Sequence, residues 1–258
     1  MTKTSKLSIF NKFLFYKRVI LRRLFKFKIE RILSNILMNK LDIIAHRGSS
    51  GKYGDNNLQS IKKAIDLGCN IIEIDIRLTS DDKLVLYHDS KILINDNLLE
   101  IEKTKYTYLS NKICLLEEVI NLTPKSITYY LDIKINNNSE MIRGHLVNLL
   151  KNYFDRHFII ASFDKNFIIN YPKSKHISLG IISETFNYHI FNKNLSIIDY
   201  FIIDIKYLSK MTLTQLNNIK SKVTFYVYTV NNISDIDTYK GHIDGIVTDY
   251  PSIFINHA

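Results

Sequence analysis

The chain has 258 residues, 46% hydrophobic and 23% charged, a mixture that folds around a core and excludes a disordered chain. Three prolines, eight glycines and two cysteines exclude collagen-like fibres, a disulfide framework and a cysteine zinc site, so Cys69 and Cys114 read as reduced packing residues of a reducing compartment. The formal charge of +10 is confined: residues 1–40 hold eleven of the 35 lysines and arginines and one of the 25 acids, which leaves residues 41–258 balanced.

Residues 1–40 contain neither Gly nor Pro. Phe10, Phe13, Leu14, Ile20, Leu21, Leu24 and Phe25 recur at helical spacing, with basic residues filling the gaps. The pattern predicts a basic amphipathic helical extension lying on an anionic membrane surface, its apolar stripe in the acyl boundary. A helix packed on the body, an organelle presequence and a nucleic-acid arm are the competing readings of the same charges. Charges interrupt every candidate apolar core, and no stretch reaches the length of a spanning helix. The expectation is therefore a cytoplasmic chain, peripheral on the inner membrane face, without a secretory signal.

From residue 41 the pattern changes to one domain, 41–258. Strands are predicted at Asp42–Ala45, Asn70–Arg77, Leu84–Tyr87, Tyr129–Ile135, Phe158–Ser162, Ile177–Ile182, Tyr200–Ile205, Val223–Thr229 and Gly245–Thr248. Helices are predicted at Leu58–Leu67, Leu115–Asn121, Glu140–Phe154, Lys165–Tyr171, Thr212–Lys220 and Ile233–Tyr239. Near-continuous Ile, Val and Leu suit strands buried on both faces, and their alternation with helices implies βα units. A closed (β/α)8 barrel and an open doubly wound sheet both satisfy this order. In a barrel, nine strands compete for eight places, so either Leu84–Tyr87 or Tyr200–Ile205 lies outside the ring.

Polar residues punctuate the early strand ends: His46-Arg47-Gly48, Glu73-Ile74-Asp75, His88-Asp89 and Asp132-Ile133-Lys134. Residues two apart on a strand face one side, so Glu73 and Asp75 share a face, as do Asp132 and Lys134. Two carboxylates turned into a helix layer would cost several kcal/mol each; at a barrel mouth they can share a cation. Three carboxylates make a hard-oxygen site suited to Mg²⁺, Ca²⁺ or Mn²⁺. Two histidines supply a proton acceptor and a donor, and Arg47 and Lys134 suit an anionic substrate. The sum describes phosphoryl chemistry.

These motifs resemble the glycerophosphodiester phosphodiesterase family. The matching stretches are Ala45-His46-Arg47-Gly48, Gly54-Asp55-Asn56-Asn57, Glu73-Ile74-Asp75, Thr79-Ser80-Asp81, His88-Asp89, Leu116-Glu117-Glu118-Val119, Leu131-Asp132-Ile133-Lys134, Ser162-Phe163, Tyr228-Thr229-Val230-Asn231 and Asp244-Gly245-Ile246-Val247-Thr248-Asp249, over about 42–254. The resemblance implies a (β/α)8 TIM barrel that hydrolyses a small phosphodiester to glycerol 3-phosphate and an alcohol. By motif match, His46 and His88 are the acid/base pair, and Glu73, Asp75 and Asp132 hold one divalent cation. Arg47 and Lys134 bind the phosphate, and Tyr228 packs against the alcohol. The segment between His88 and Asp132 leaves no room for the larger insertion that some members place over the glycerol site.

Three positions depart from the family pattern: Asp55 and Asp132 stand where it has Glu, and Tyr228 where it has Trp. The shorter Asp132 puts the reach of the third ligand in question. Asp-x-Lys is also what the related sphingomyelinase D and phospholipase D toxins carry, so a phospholipase D-type enzyme acting on lysophospholipids or sphingolipids is the rival reading. A catalytically inactive, membrane-associated barrel is a third. No nucleic-acid partner is expected.

Overall fold

The computed structural model describes residues 41–255. The predicted helical extension over 1–40, and His257, lie outside the described residues.

Eight parallel strands form a closed ring. In chain order the strands are β1 (Asp42–His46), β2 (Ile71–Leu78), β3 (Leu84–Leu86), β4 (Lys91–Ile94), β5 (Asn97–Glu100), β6 (Thr128–Ile133), β7 (Phe158–Ser162), β8 (Ile177–Ser183), β9 (Tyr200–Asp204), β10 (Thr224–Tyr228) and β11 (Gly245–Thr248). The ring runs β1-β2-β6-β7-β8-β9-β10-β11 and closes because β1 pairs with both β2 and β11. Helices at Leu58–Asp66, Leu116–Asn121, Ser139–Leu150, Lys165–Ile169, Tyr188–Asn194 and Leu213–Lys220 follow successive strands. This is a (β/α)8 barrel, as the motifs implied.

β3 is the ninth strand, the one left outside the ring. It pairs antiparallel with the far end of β2, Ile76 opposite Leu86. Beyond it, β4 and β5 form a hairpin in a separate two-stranded sheet. Its turn, Asn95-Asp96, has both residues at positive φ (48° and 61°), the conformation that asparagine and aspartate tolerate best after glycine. Ile92, Ile101, Leu109 and Ile113 from this segment pack with Val85 of β3 as a small core of their own. The stretch between His88 and Asp132 is therefore a compact insertion and not a bare connection.

Side chains alternate across each strand. One row packs outward against the helices; the other fills the barrel with Ile44, Tyr130, Ile159, Ala161, Ile182, Ile202, Tyr226 and Val247. At the closed end the Tyr226 hydroxyl donates to Asp42 Oδ2 at 2.7 Å. Towards the carboxyl ends of the strands the inward row turns polar, and that rim carries the candidate site. Cys69 is buried and Cys114 half-buried, both free thiols. Among the described residues no helix is long and apolar enough to cross a membrane.

Candidate active site

Strand register brings the early motifs to one rim. His46 pairs with Glu73 across β1 and β2, and Asp75 pairs with Asp132 across β2 and β6. Glu73, Asp75 and Asp132 are all buried, and each offers one carboxylate oxygen within 4.8 Å of the others. The short Asp132 thus still reaches the cluster. Its Oδ2 accepts from Lys134 Nζ at 2.6 Å, while its Oδ1 is buried with no hydrogen-bond partner. A buried, unpartnered carboxylate oxygen among two other acids fits a hard divalent cation.

The electrostatics agree. Burial and the neighbouring Asp75 push the Glu73 carboxyl up to about 8. Burial, with Asp75, also raises Asp132 against the pull of Lys134. Asp75 is held low despite its burial, because Lys134 and Arg47 flank it: Lys134 Nζ lies 3.0 Å from Asp75 Oδ1 and Arg47 Nε 3.0 Å from Asp75 Oδ2. Ion-free, the cluster is short of positive charge and Glu73 takes a proton; a bound cation would displace it.

The His46-Arg47-Gly48 turn is built around these acids. Arg47 has φ 55° and Gly48 φ 84°, which aims the Arg47 backbone N–H at Glu73 Oε2, 2.8 Å away. A Cβ on Gly48 would come within 2.6 Å of the Ser60 backbone, so glycine is required there. The Arg47 side chain crosses to Asp55, Nη1 to Oδ2 at 2.6 Å. Its buried Nε is turned to Asp75 Oδ2, 3.0 Å away, in an ion pair without a well-aligned hydrogen bond.

Each histidine has its own tether. His46 Nδ1 is 2.6 Å from Asp249 Oδ1, which also accepts from Ser50 Oγ; Asn231 Nδ2 donates to Asp249 Oδ2. Burial alone would raise Asp249, yet the bonds from His46 and Asn231 hold it at about 2. Burial opposes the charge on His46, but Asp249 and then Glu73 outweigh it, so its pKa lies above the ordinary imidazole value. His88 lies just past β3, outside the ring. Its Nδ1 is 2.7 Å from Asp89, and its backbone oxygen accepts from buried Arg77 through Nε at 3.0 Å and Nη2 at 2.7 Å. Arg77 in turn reaches Glu102 of the insertion, which also accepts from Asn136.

The cavity between these groups encloses about 130 Å³ and is lined by His46, Arg47, Glu73, His88, Asp132, Lys134 and Tyr228, among others. The structure therefore gathers seven of the eight sequence-predicted site residues around one cavity; Asp75 sits just behind, bridging Arg47 and Lys134. Sequence reasoning gave no role to Asp249, Asn231, Asn56 or Arg77. The first three were visible only as letters of longer motifs, because the contacts that define them span from 18 to 203 positions. The remaining described histidines stand apart, for example His157 against Ser178 and His145 near Asp82.

Asn56 is the clearest supporting group. At φ 54° its amide both donates to Asp75 Oδ2 at 2.8 Å and accepts from the Asp75 backbone N–H at 3.0 Å. Partners of this kind fix a ligand's orientation, so Asn56→Ala is expected to weaken divalent-cation affinity about 10–100-fold, read by calorimetric titration. An unchanged affinity would remove Asn56 from the cation site.

Known proteins resemble the chain along the same residues. The family model described as the glycerophosphoryl diester phosphodiesterase family matches residues 46–185. A glycerophosphodiester phosphodiesterase of Caldanaerobacter subterraneus is 27% identical over 235 residues, covering 83% of this chain and 96% of the relative. A lysophospholipase D of Homo sapiens is 26% identical over 138 residues, 45% of this chain and 43% of the relative. A phosphodiesterase of Oleispira antarctica, solved with the product sn-glycerol-3-phosphate, superposes with a TM-score of 0.73 at 22% identity, over 84% of this chain and 97% of that one.

Proposed function

Because the chain belongs to the glycerophosphoryl diester phosphodiesterase family, we propose that it is a hydrolase of glycerophosphodiesters, releasing glycerol 3-phosphate and an alcohol with the help of one divalent cation. The observation that carries this reading is the buried Glu73–Asp75–Asp132 cluster, with its unpartnered Asp132 oxygen, lying beside two imidazoles at one barrel mouth.

Glu73, Asp75 and Asp132 would hold the cation, Mg²⁺ or Ca²⁺ by ligand chemistry; when bound it neutralises phosphate charge and acidifies a hydroxyl. Arg47 and Lys134 bind the phosphate oxygens. One imidazole of the His46/His88 pair accepts the proton of the attacking hydroxyl as the new P–O bond forms. The other gives its proton to the alcohol oxygen as the old P–O bond breaks. Asp249 holds His46 with Nε2 towards the cavity, 3.9 Å from Glu73, and Arg77 holds the backbone of His88.

The test uses the full chain stripped of metal and offered a panel of glycerophosphodiesters. Turnover restored by Mg²⁺ or Ca²⁺ is the expected result; turnover unaffected by a chelator would refute the metal-dependent reading. A calorimetric titration that finds no cation binding would leave an inactive barrel.

A second reading, a phospholipase D acting on lysolipids, draws on the hairpin beside the mouth, where Leu93 and Leu98 face each other across β4 and β5 at 63% exposure each. Preference for lysophosphatidylcholine over glycerophosphocholine would select it. The eleven basic residues of 1–40 support attachment to anionic lipid. Deleting 1–40 is expected to lower binding to phosphatidylserine vesicles, and unchanged binding would end that proposal.

A further inference from the structure

The end of the barrel opposite the mouth, where the ring strands begin, carries an excess of positive charge. Residues 41–258 are balanced overall. Yet the loops entering β2 and β6 to β11 (67–70, 122–127, 151–157, 170–176, 195–199, 221–223 and 236–244) hold seven lysines and arginines against four acids. Those acids are already engaged. Asp155 pairs with Lys125, Asp237 with Lys240 and Asp244 with Lys220, and Asp199 Oδ2 accepts from the Leu179 backbone N–H. Lys151, Lys173, Lys175 and Lys222 form no ion pair with a described carboxylate. We propose that this face lies on an anionic lipid surface and turns the mouth towards water. The inference goes beyond the hydrolase reading and does not depend on it.

Apolar side chains stand among these charges. Leu122, which closes the helix Leu116–Asn121, is 57% exposed, and Phe154, which closes the 3-10 turn Lys151–Tyr153, is 76% exposed. Their loops enter the adjacent strands β6 and β7 and are fixed to each other. The Tyr153 hydroxyl donates to Asn121 Oδ1 at 3.0 Å. Buried Arg156 donates through Nη1 to the Pro124 carbonyl at 2.8 Å and through Nη2 to the Thr123 carbonyl at 2.7 Å. The structure thus holds a ring and an isobutyl group out in water on a stiff support.

Unpaired lysines around exposed apolar groups match the two layers of a bilayer surface. The ammonium groups meet anionic headgroups while the apolar groups enter the acyl boundary, and the lysine stems cover apolar surface between them. A second copy of the chain fits less well, because it would set the same four lysines against each other. Leu41, to which the basic residues 1–40 are joined, directly precedes β1 and so stands at this same end. His46, His88 and the acidic cluster line the opposite end. A diester arriving from solution reaches them there, whereas a lipid held in the supporting bilayer does not.

The chain contains no tryptophan, so a single introduced indole reports its own surroundings. Phe154→Trp and, beside the mouth, Leu93→Trp are each made in the full chain and titrated with phosphatidylserine–phosphatidylcholine vesicles whose acyl chains are plain or brominated. Emission of Phe154→Trp is expected to shift to the blue and to be quenched by the brominated lipid, and that of Leu93→Trp to stay unchanged. Adding Lys173→Gln and Lys175→Gln to Phe154→Trp is expected to weaken partitioning about 5- to 30-fold, with the far-ultraviolet circular dichroism unchanged. Quenching of both indoles, of neither, or of Leu93→Trp alone would overturn the proposal, whatever residues 1–40 contribute to binding. So would partitioning that ignores the two lysines. A Phe154→Trp emission already shifted to the blue without vesicles, in a chain that sediments as a dimer, would place a second copy on this face and overturn the lipid assignment.

Discussion

His46→Ala and His88→Ala are each expected to lower kcat about 10²–10⁴-fold, the usual worth of a positioned acid or base, with the far-ultraviolet circular dichroism unchanged. The two side chains sit on one cavity but on unlike supports, His46 on β1 within the ring and His88 on the segment after β3. If they serve opposite ends of one proton transfer, the double variant loses little more than the worse single one, since groups acting as a unit are far from additive. Losses that simply multiply would mean that the histidines act in separate steps. Full glycerol 3-phosphate release by either single variant would remove that histidine from the chemistry.

The second large effect concerns Glu73. Glu73→Gln keeps the shape of the cluster but removes one ligand charge, and calorimetry is expected to show divalent-cation binding abolished together with turnover. The ion-free wild type also carries a pH signature. The Glu73 carboxyl titrates at about 8 when folded against an ordinary value of 4.5, so the folded chain holds a proton that the unfolded chain releases. Stability from this group is full below about pH 4.5 and is lost as pH rises through about 8. The Tm of the stripped protein should therefore fall across that window, and the fall should be smaller in Glu73→Gln. Asp249, held at about 2, works in the opposite direction, but its stabilisation disappears only below pH 3.8, outside the window. A cation competes with the Glu73 proton, so the Tm gain on adding Mg²⁺ or Ca²⁺ should be greater at pH 8 than at pH 5. A stripped protein whose Tm ignores pH between 5 and 8 would contradict the buried-proton account.

The ring was legible because its strands are short apolar runs closed by polar residues, and alternation alone put Glu73 with Asp75 and Asp132 with Lys134. Periodicity does not tell strand direction, which is why Leu84–Tyr87 and Tyr200–Ile205 were both candidates for the place outside the ring until the antiparallel pairing of Leu84–Leu86 with β2 decided between them. The β4–β5 hairpin escaped because its turn is Asn95-Asp96 and lacks the glycine that usually marks one. The predicted helix over Ile233–Tyr239 forms only a 3-10 turn at Ile233–Asp235, whereas Tyr188–Asn194, for which the sequence pattern predicts no element, is helical and buries Phe191 against Phe201. At the site, ligand types could be read from the chain, but the supports could not. Asp249 meets His46 across 203 positions and Arg77 meets the backbone of His88, contacts that no local pattern encodes.

His88 hangs from the barrel by Arg77, while a five-residue core under the neighbouring hairpin steadies the segment around it. His46 ends a strand that is paired on both sides within the closed ring. The two imidazoles therefore do not share a fate on warming. The small satellite is expected to loosen first, so that turnover is lost on warming before the circular dichroism of the cylinder behind it changes.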